Sequence, residues 1–256
     1  MAEYRQYCPV ARATEIFADR WTPLIVRELL GGAQRFNQLQ RGLPGISRSL
    51  LASRLRRLED QGVVHRATLP AAPAVDYQLS ESGRELEKVI DMLGAWGARW
   101  AFGEPRPAEL DPALLLWKMH RRVHLHRLPA ERTAIEFDFA GRGGRRVWLV
   151  LERREVSVCL KPPGFRPQLV LHADLSLFYR VWLGAADYAL ERREGRIVVD
   201  GPPALARALP GWFKWSPMAG WVRAGASTLA RPPNGSETRA VKPPRHRSPR
   251  RKTPSR

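Results

Sequence analysis

Along residues 48–61, Leu51, Leu55 and Leu58 fall on one stripe of a helix. Ser49, Ser53 and Arg56 fall opposite them, with Arg48, Ala52 and Arg57 on the flanks. Small hydroxyl side chains beside arginines are the types that reading a nucleic-acid groove requires. Serine leaves room for close approach, arginine donates two hydrogen bonds to a guanine edge, and a neighbouring arginine neutralises phosphate. On an isolated helix the same stripe is only a solvated face, so its meaning depends on its surroundings.

Other residue types invite chemistry less strongly. His120, His124 and His126 contain an i,i+4 pair, the spacing that holds zinc on a helix, yet no third and fourth ligand of suitable type stands nearby. A solvated or helix-terminal histidine cluster is the expectation, with no metal and no cofactor. Asp174 and Asp187 are single carboxylates placed as helix caps. No Gly-x-Ser-x-Gly elbow, phosphate-cradling Gly-x-x-x-x-Gly-Lys or Gly-x-Gly-x-x-Gly after a strand occurs, and the Gly-Arg-Gly-Gly run at 141–144 is a hairpin turn. The chain is therefore not expected to be an enzyme.

The elements around the basic stripe follow from spacing and punctuation. Residues 8–18 have helical spacing through Val10, Ala13, Ile16 and Phe17; Asp19 is placed to cap a second helix that starts near Pro23 and stops at Gly31 and Gly32. A short helix over 35–43 follows, and Ser47 caps the basic helix. Runs 63–67 and 75–79 alternate as two strands around the Pro-Ala-Ala-Pro at 70–73, and a helix capped by Ser80 extends to about 102. Three helices, a basic fourth, a hairpin and a long helix make a winged helix-turn-helix, with Arg66 on the hairpin as the anion partner.

The runs Cys8-Pro-Val, Asp19-Arg-Trp-Thr, LIVRELL at 24–30, Arg35-Phe-Asn-Gln-Leu, LPGISRSLLASRLRRLE from Leu43, Tyr77-Gln-Leu-Ser and Glu81-Ser-Gly together resemble the HxlR family of winged-helix transcriptional regulators. The resemblance covers about residues 5–100. It implies a homodimer on double-stranded DNA with 48–61 as the recognition helix. The last helix, with Trp96 and Trp100, would join the first in the dimer interface. Arg35, Ser47, Arg48, Ser49, Ser53, Arg56, Arg57 and Arg66 are the candidate DNA contacts. Some members of the family use a cysteine at the position of Cys8 as a redox sensor; a thiolate near a helix start is stabilised by the macrodipole, whereas a small buried interface residue is the alternative.

Gly103 to Pro107 punctuates the chain, and an α+β pattern follows. A helix over 111–128 precedes strands at 134–139, 147–151 and 156–160, expected as an antiparallel meander. A fourth strand over 168–173, a helix begun at Asp174, a strand over 195–201 and a helix over 204–212 complete it. This order, with Leu169-Val-Leu, Asp174-Leu-Ser-Leu-Phe and Gly195-Arg-Ile-Val-Val-Asp-Gly, resembles the sterol-carrier-protein-like domain. That resemblance implies an apolar tunnel for a hydrophobic effector, lined by Phe137, Trp148, Leu149, Phe178 and Trp182. The fold class expected is thus α+β: a winged helix-turn-helix over 1–103, a smaller domain of antiparallel sheet and helices over 110–225, and a disordered tail over 231–256.

Composition bounds the rest. The 256 residues carry 43 Lys and Arg against 25 Asp and Glu, a net charge of +18. This favours anionic partners, with nucleic acid first and an acidic membrane surface second. The Pro-rich tail alone holds nine Lys and Arg against one Glu, and its Asn-Gly-Ser at 234–236 is expected as a turn rather than a glycosylated site. Two cysteines make no disulfide framework, and no run approaches the roughly 18 apolar residues of a membrane span, so a cytoplasmic, nucleoid-associated protein is expected. A transcriptional regulator on an inverted-repeat operator is the leading reading. A lipid carrier or enzyme with a scaffolding winged helix, and a structural nucleoid protein driven by the tail, are the alternatives.

Overall fold

A computed structural model describes residues 4–68 and 75–229. The Pro-Ala-Ala-Pro connection at 70–73, the basic tail at 231–256 and its Asn-Gly-Ser lie outside the described residues.

Four helices open the chain: α1 (Pro9–Phe17), α2 (Thr22–Leu30), α3 (Phe36–Gly42) and α4 (Arg48–Asp60). The hairpin of β1 (Val64–Thr68) and β2 (Val75–Leu79) follows, antiparallel with Val64 opposite Leu79 and Arg66 opposite Tyr77. Where one helix was expected over 80–102 there are two, a short α5 (Glu81–Glu85) and α6 (Glu87–Trp100), interrupted at Leu86. Ser80 caps α5 as its sequence position implies, accepting the Gly83 N–H at 3.1 Å. Asp19, in contrast, does not cap α2. The N-cap is Trp21, whose φ of 82° is the left-handed conformation that costs a residue with a side chain. The helix begins two residues later than the Asp-Arg-Trp-Thr pattern suggests, and the Asp19 carboxylate is left available to α4. Ile25, Val26, Leu39, Leu51 and Leu55, all fully buried, form the core of this half.

The second half holds α7 (Pro112–His120), β3 (Thr133–Ala140), β4 (Arg146–Leu151), β5 (Val156–Cys159), β6 (Leu169–Asp174), α8 (Leu175–Leu183), α9 (Tyr188–Arg193), β7 (Ile197–Asp200), α10 (Pro203–Trp212) and α11 (Ala219–Leu229). Its architecture is mixed α+β, but the sheet is not antiparallel throughout. The order is β5-β4-β3-β6-β7, and β6 lies parallel to β3, with Ile135 opposite Leu169. Segment 160–168 carries the chain from one edge to the far side of β3. Inward and outward alternation is the same in a parallel and an antiparallel strand, so pattern alone could not choose the neighbour. The helix expected over 111–128 stops at His120, and a single 3₁₀ turn (Leu125–Arg127) follows. Asp174 and Asp187 do cap helices, accepting the N–H groups of Leu177 at 3.0 Å and Leu190 at 2.8 Å.

Sequence spacing missed α9 and α11. The second of these matters, because α11 returns to α6. A Cβ on Gly94 of α6 would stand 2.9 Å from the Trp221 ring, and one on Gly225 of α11 would stand 2.6 Å from the Ala98 carbonyl. Glycine on both helices allows an approach that any side chain would prevent.

Candidate nucleic-acid interface and the junction behind it

Helix α4 forms because Ser47 caps it, its Oγ accepting the Leu50 N–H at 3.2 Å, and because Leu51, Leu55 and Leu58 bury one stripe completely. Burying three leucines is worth about 1.5–3 kcal/mol each, enough to hold the opposite face outward. Ser47, Arg48, Ser49, Ser53 and Arg56 are all exposed there. Ser49 and Ser47 share a hydrogen bond at 3.2 Å. Arg48 lies over the Phe36 ring at 5.0 Å and donates to Gln40 Oε1 at 2.9 Å, which orients its guanidinium along α3. The Arg56 side chain has no hydrogen-bond or ion-pair partner among the described residues.

Arg57 behaves differently from the flanking role assigned to it. It is half-buried and donates to Asp19 Oδ2 at 2.9 Å and to the Glu15 carbonyl. Arg54, which the helical-wheel reading passed over, donates to the same Asp19 oxygen at 2.6 Å. Asp19 therefore ties two turns of α4 to the α1–α2 corner. Two further candidates are also partnered: Arg66 of the hairpin pairs with Glu59 at 2.8 Å beside the Tyr77 ring, and Arg35, at the start of α3, approaches buried Asp76 at 3.6 Å. Arg66 and Arg35 remain about half exposed; Arg66 can exchange Glu59 for phosphate at modest cost, whereas Arg35 has to keep its approach to buried Asp76.

Four of the five expected ligand-lining residues are packed as core. Phe137, Leu149, Phe178 and Trp182 join one hydrophobic cluster, and Phe137 meets Phe178 edge-on with centroids 5.8 Å apart. Trp148 lies on the other face of the sheet and donates from Nε1 to Glu136 at 3.0 Å. A cavity of about 790 Å³ lies elsewhere, between the end of α6, the linker and helices α8 and α11, floored by Ala98, Phe102, Leu183 and Val222. Of the five candidates, Trp182 borders a described cavity, a smaller one of about 180 Å³ at the junction of the two halves.

That junction is ionic. Glu28 of α2, 2% exposed, accepts from Arg27 at 2.8 Å, from Lys118 of α7 at 2.8 Å and from Arg121 at 2.6 Å. Burial alone would raise the Glu28 carboxyl, but the charges of Lys118 and Arg27 and the hydrogen bonds from Lys118 and Arg121 overcome it and hold it at about 2. Lys118 is itself drawn below its usual value, by burial and by Arg27. One carboxylate is thus shared among more cations than it can neutralise. Spacing offered a signal for it: Glu28 stands three residues after Ile25 and next to Leu29, on the buried stripe of α2.

His120 donates from Nδ1 to the Trp117 carbonyl at 2.6 Å and stacks on the Trp117 ring, and Cys8 is a half-buried free thiol at the N-cap of α1. Val89, Met92, Leu93, Trp96 and Trp100 leave an apolar stripe along α6 exposed, Met92 to 71% and Trp96 to 61%. Tyr7 and Val10 are exposed at the chain start. No group of three or more metal-ligating side chains comes together, and no helix is long and apolar enough to cross a membrane, among the described residues.

The HxlR-like helix-turn-helix family matches residues 16–104. The chain is 36% identical over 112 residues to the HTH-type transcriptional regulator YvaP of Bacillus subtilis, a match spanning 43% of this chain and 95% of that protein. It is 40% identical over 98 residues to YtcD of the same organism (38% of this chain, 78% of that protein). It is 43% identical over 99 residues to Mb3122 of Mycobacterium bovis (38% and 60%). Both are HTH-type transcriptional regulators by name. The crystal structure of YtcD aligns with 36% of this chain and 94% of its own at 39% identity and a TM-score of 0.34.

Proposed function

The chain belongs to the HxlR-like helix-turn-helix family, and from that premise we propose that it is a DNA-binding transcriptional regulator in which α4 reads the major groove. The observation that carries this reading is the outward face of α4. Ser49, Ser53 and Arg56 are exposed together over a fully buried leucine stripe, and Asp19 holds the same helix rigidly through Arg54 and Arg57. Arg56 is the base reader, Ser49 and Ser53 allow close approach, and Ser47, Arg48, Arg35 and Arg66 touch the phosphate backbone; Arg57 contributes by seating the helix.

Residues 1–103 form the DNA-binding domain and 110–225 a sterol-carrier-like domain that senses a hydrophobic small molecule. The 790 Å³ cavity floored by Ala98, Phe102, Leu183 and Val222 is better placed for that ligand than the packed Phe137–Phe178 core. Two chains pair through the apolar stripe of α6 and the start of the chain, in the cytoplasm, and Cys8 reports thiol oxidation at that pairing. A ligand regulates such a dimer only through unequal affinity for its DNA-competent and incompetent states.

Selection of binding sites from a random duplex pool tests the reading. The expected product is an inverted repeat whose half-sites lie about 34 Å apart, one helical turn. Arg56→Ala should then relax one position in each half-site, costing about 1–3 kcal/mol in fluorescence anisotropy. A pool that enriches no sequence would remove the regulator reading.

A further inference from the structure

The 180 Å³ cavity at the junction carries more positive charge than the fold neutralises. Arg27 from α2 and Lys118, Arg121 and Arg122 from α7 and its C-terminal end border it, together with the single carboxylate of Glu28. Arg122 is occupied by the Trp215 and Lys214 carbonyls. The other three cations all converge on Glu28.

Arg121 is the residue the folded chain leaves incomplete. Its Nη2 binds Glu28, but its Nε and Nη1 are buried with no hydrogen-bond partner. The Trp117 ring, 5.7 Å from the guanidinium, offers its π-face and no acceptor for these in-plane N–H groups. Buried donors without partners are costly, so a guanidinium left with two of them gains from an anion it can turn to meet. Trp182, Leu183, Pro217 and Met218 give the remaining wall its apolar surface, with Ser216 and Gly31 beside them. A cavity of about 150 Å³ takes a benzene ring.

We propose that this junction cavity binds a small organic carboxylate with an apolar, ring-sized body, its anion held by Arg121, Lys118 and Arg27. The bound carboxylate competes with Glu28 for the same cations. Since Glu28 belongs to the helix-turn-helix half and Lys118 and Arg121 to the sheet half, the ligand loosens the tie that sets one half against the other. Its effect on DNA affinity rests on the regulator reading above, whereas the binding itself does not.

Calorimetry on the full chain tests the site with three probes: sodium benzoate, sodium acetate and benzyl alcohol. Benzoate is expected to saturate at one per chain with a dissociation constant of about 1 mM or tighter. Acetate, lacking the apolar body, and benzyl alcohol, lacking the charge, should each bind at least about tenfold more weakly. Arg27→Met keeps the stem of a partly exposed arginine and should weaken benzoate about tenfold, while Arg27→Lys should restore it, thermal melts checking that both fold. The wild-type probe series decides the matter should Arg27→Met fail to fold. No saturation by benzoate, equal binding of benzyl alcohol, or equal binding to Arg27→Met would each overturn the proposal. Site selection on DNA is read separately, so its failure would remove the regulator and leave the carboxylate site standing.

Discussion

Loss of hydration inside the α7 cluster draws the His120 imidazole down to about 4 from an ordinary 6.5, with the nearby Arg121 charge adding to it; the hydrogen bonds to the Trp117 and Leu116 carbonyls pull the other way and lose. The folded protein thus keeps His120 neutral where the unfolded chain takes a proton. As pH falls from 6.5 towards 4, the unfolded state binds more protons and stability declines; above 6.5 the contribution is constant. Urea midpoints should therefore drop across that window, by about 1–3 kcal/mol of stability. His120→Gln should flatten the dependence there. Glu28 acts lower down: its carboxyl, held at about 2, contributes stability above about 4.5 that is lost between 4.5 and 2, so its limb should survive the His120 substitution. A profile unchanged by His120→Gln would assign the upper limb to another group.

Among the elements, α2, α3 and α7 meet at Glu28, and Gly42 at the end of α3 is what lets them. A Cβ at Gly42 would fall on the Glu28 carboxylate. Helix propensity alone makes Gly42→Ala stabilising by about 1 kcal/mol. The packing makes it destabilising, by about 2–4 kcal/mol, because the buried Glu28 must leave its three cations or α3 must move. The sign of the change in melting temperature separates the two, and an increase would show that Glu28 can be displaced without loss. The Asp19 tie works at the same scale. Helix α4 is held by an aspartate 35 and 38 residues away, so its angle to the rest of the domain is set by packing and ion pairs at once.

For the whole molecule, the exposed stripe of Val89, Met92, Leu93, Trp96 and Trp100 lies along α6, while another face of that helix receives α11. Under the proposed function, a contiguous apolar stripe of this size is the surface through which two chains would pair. Trp96→Glu replaces a residue 61% exposed, so the fold should persist while sedimentation velocity shows a shift from dimer to monomer. Binding to a selected inverted repeat should weaken with it. A wild-type chain that sediments as a monomer would end the two-half-site reading. The 790 Å³ cavity is bordered by α6 and α11 alike, so in the proposed dimer a ligand there would act on the spacing of the paired α4 helices through α6.

Local physics made much of this legible in the residues alone. Ser47 and the leucine spacing defined α4, Asp174 and Asp187 marked their helices, and alternation placed the strands, because caps and amphipathic periods are set by neighbours within a few positions. Other features depended on partners far along the chain. Residues 160–168 put β6 beside β3, which turned an expected antiparallel sheet into a mixed one. Asp19 went to Arg54 and Arg57 instead of to a helix N-terminus. Phe137 and Phe178, expected beside a tunnel, met each other in the core and Trp148 went to the other face of the sheet, while two of the cavities opened at the junction of α6, α8 and α11 and around Glu28. Which cation a carboxylate meets, which strand a strand adjoins and where packing leaves space are decided by the tertiary arrangement, since each is a balance among groups that only the folded chain brings within reach.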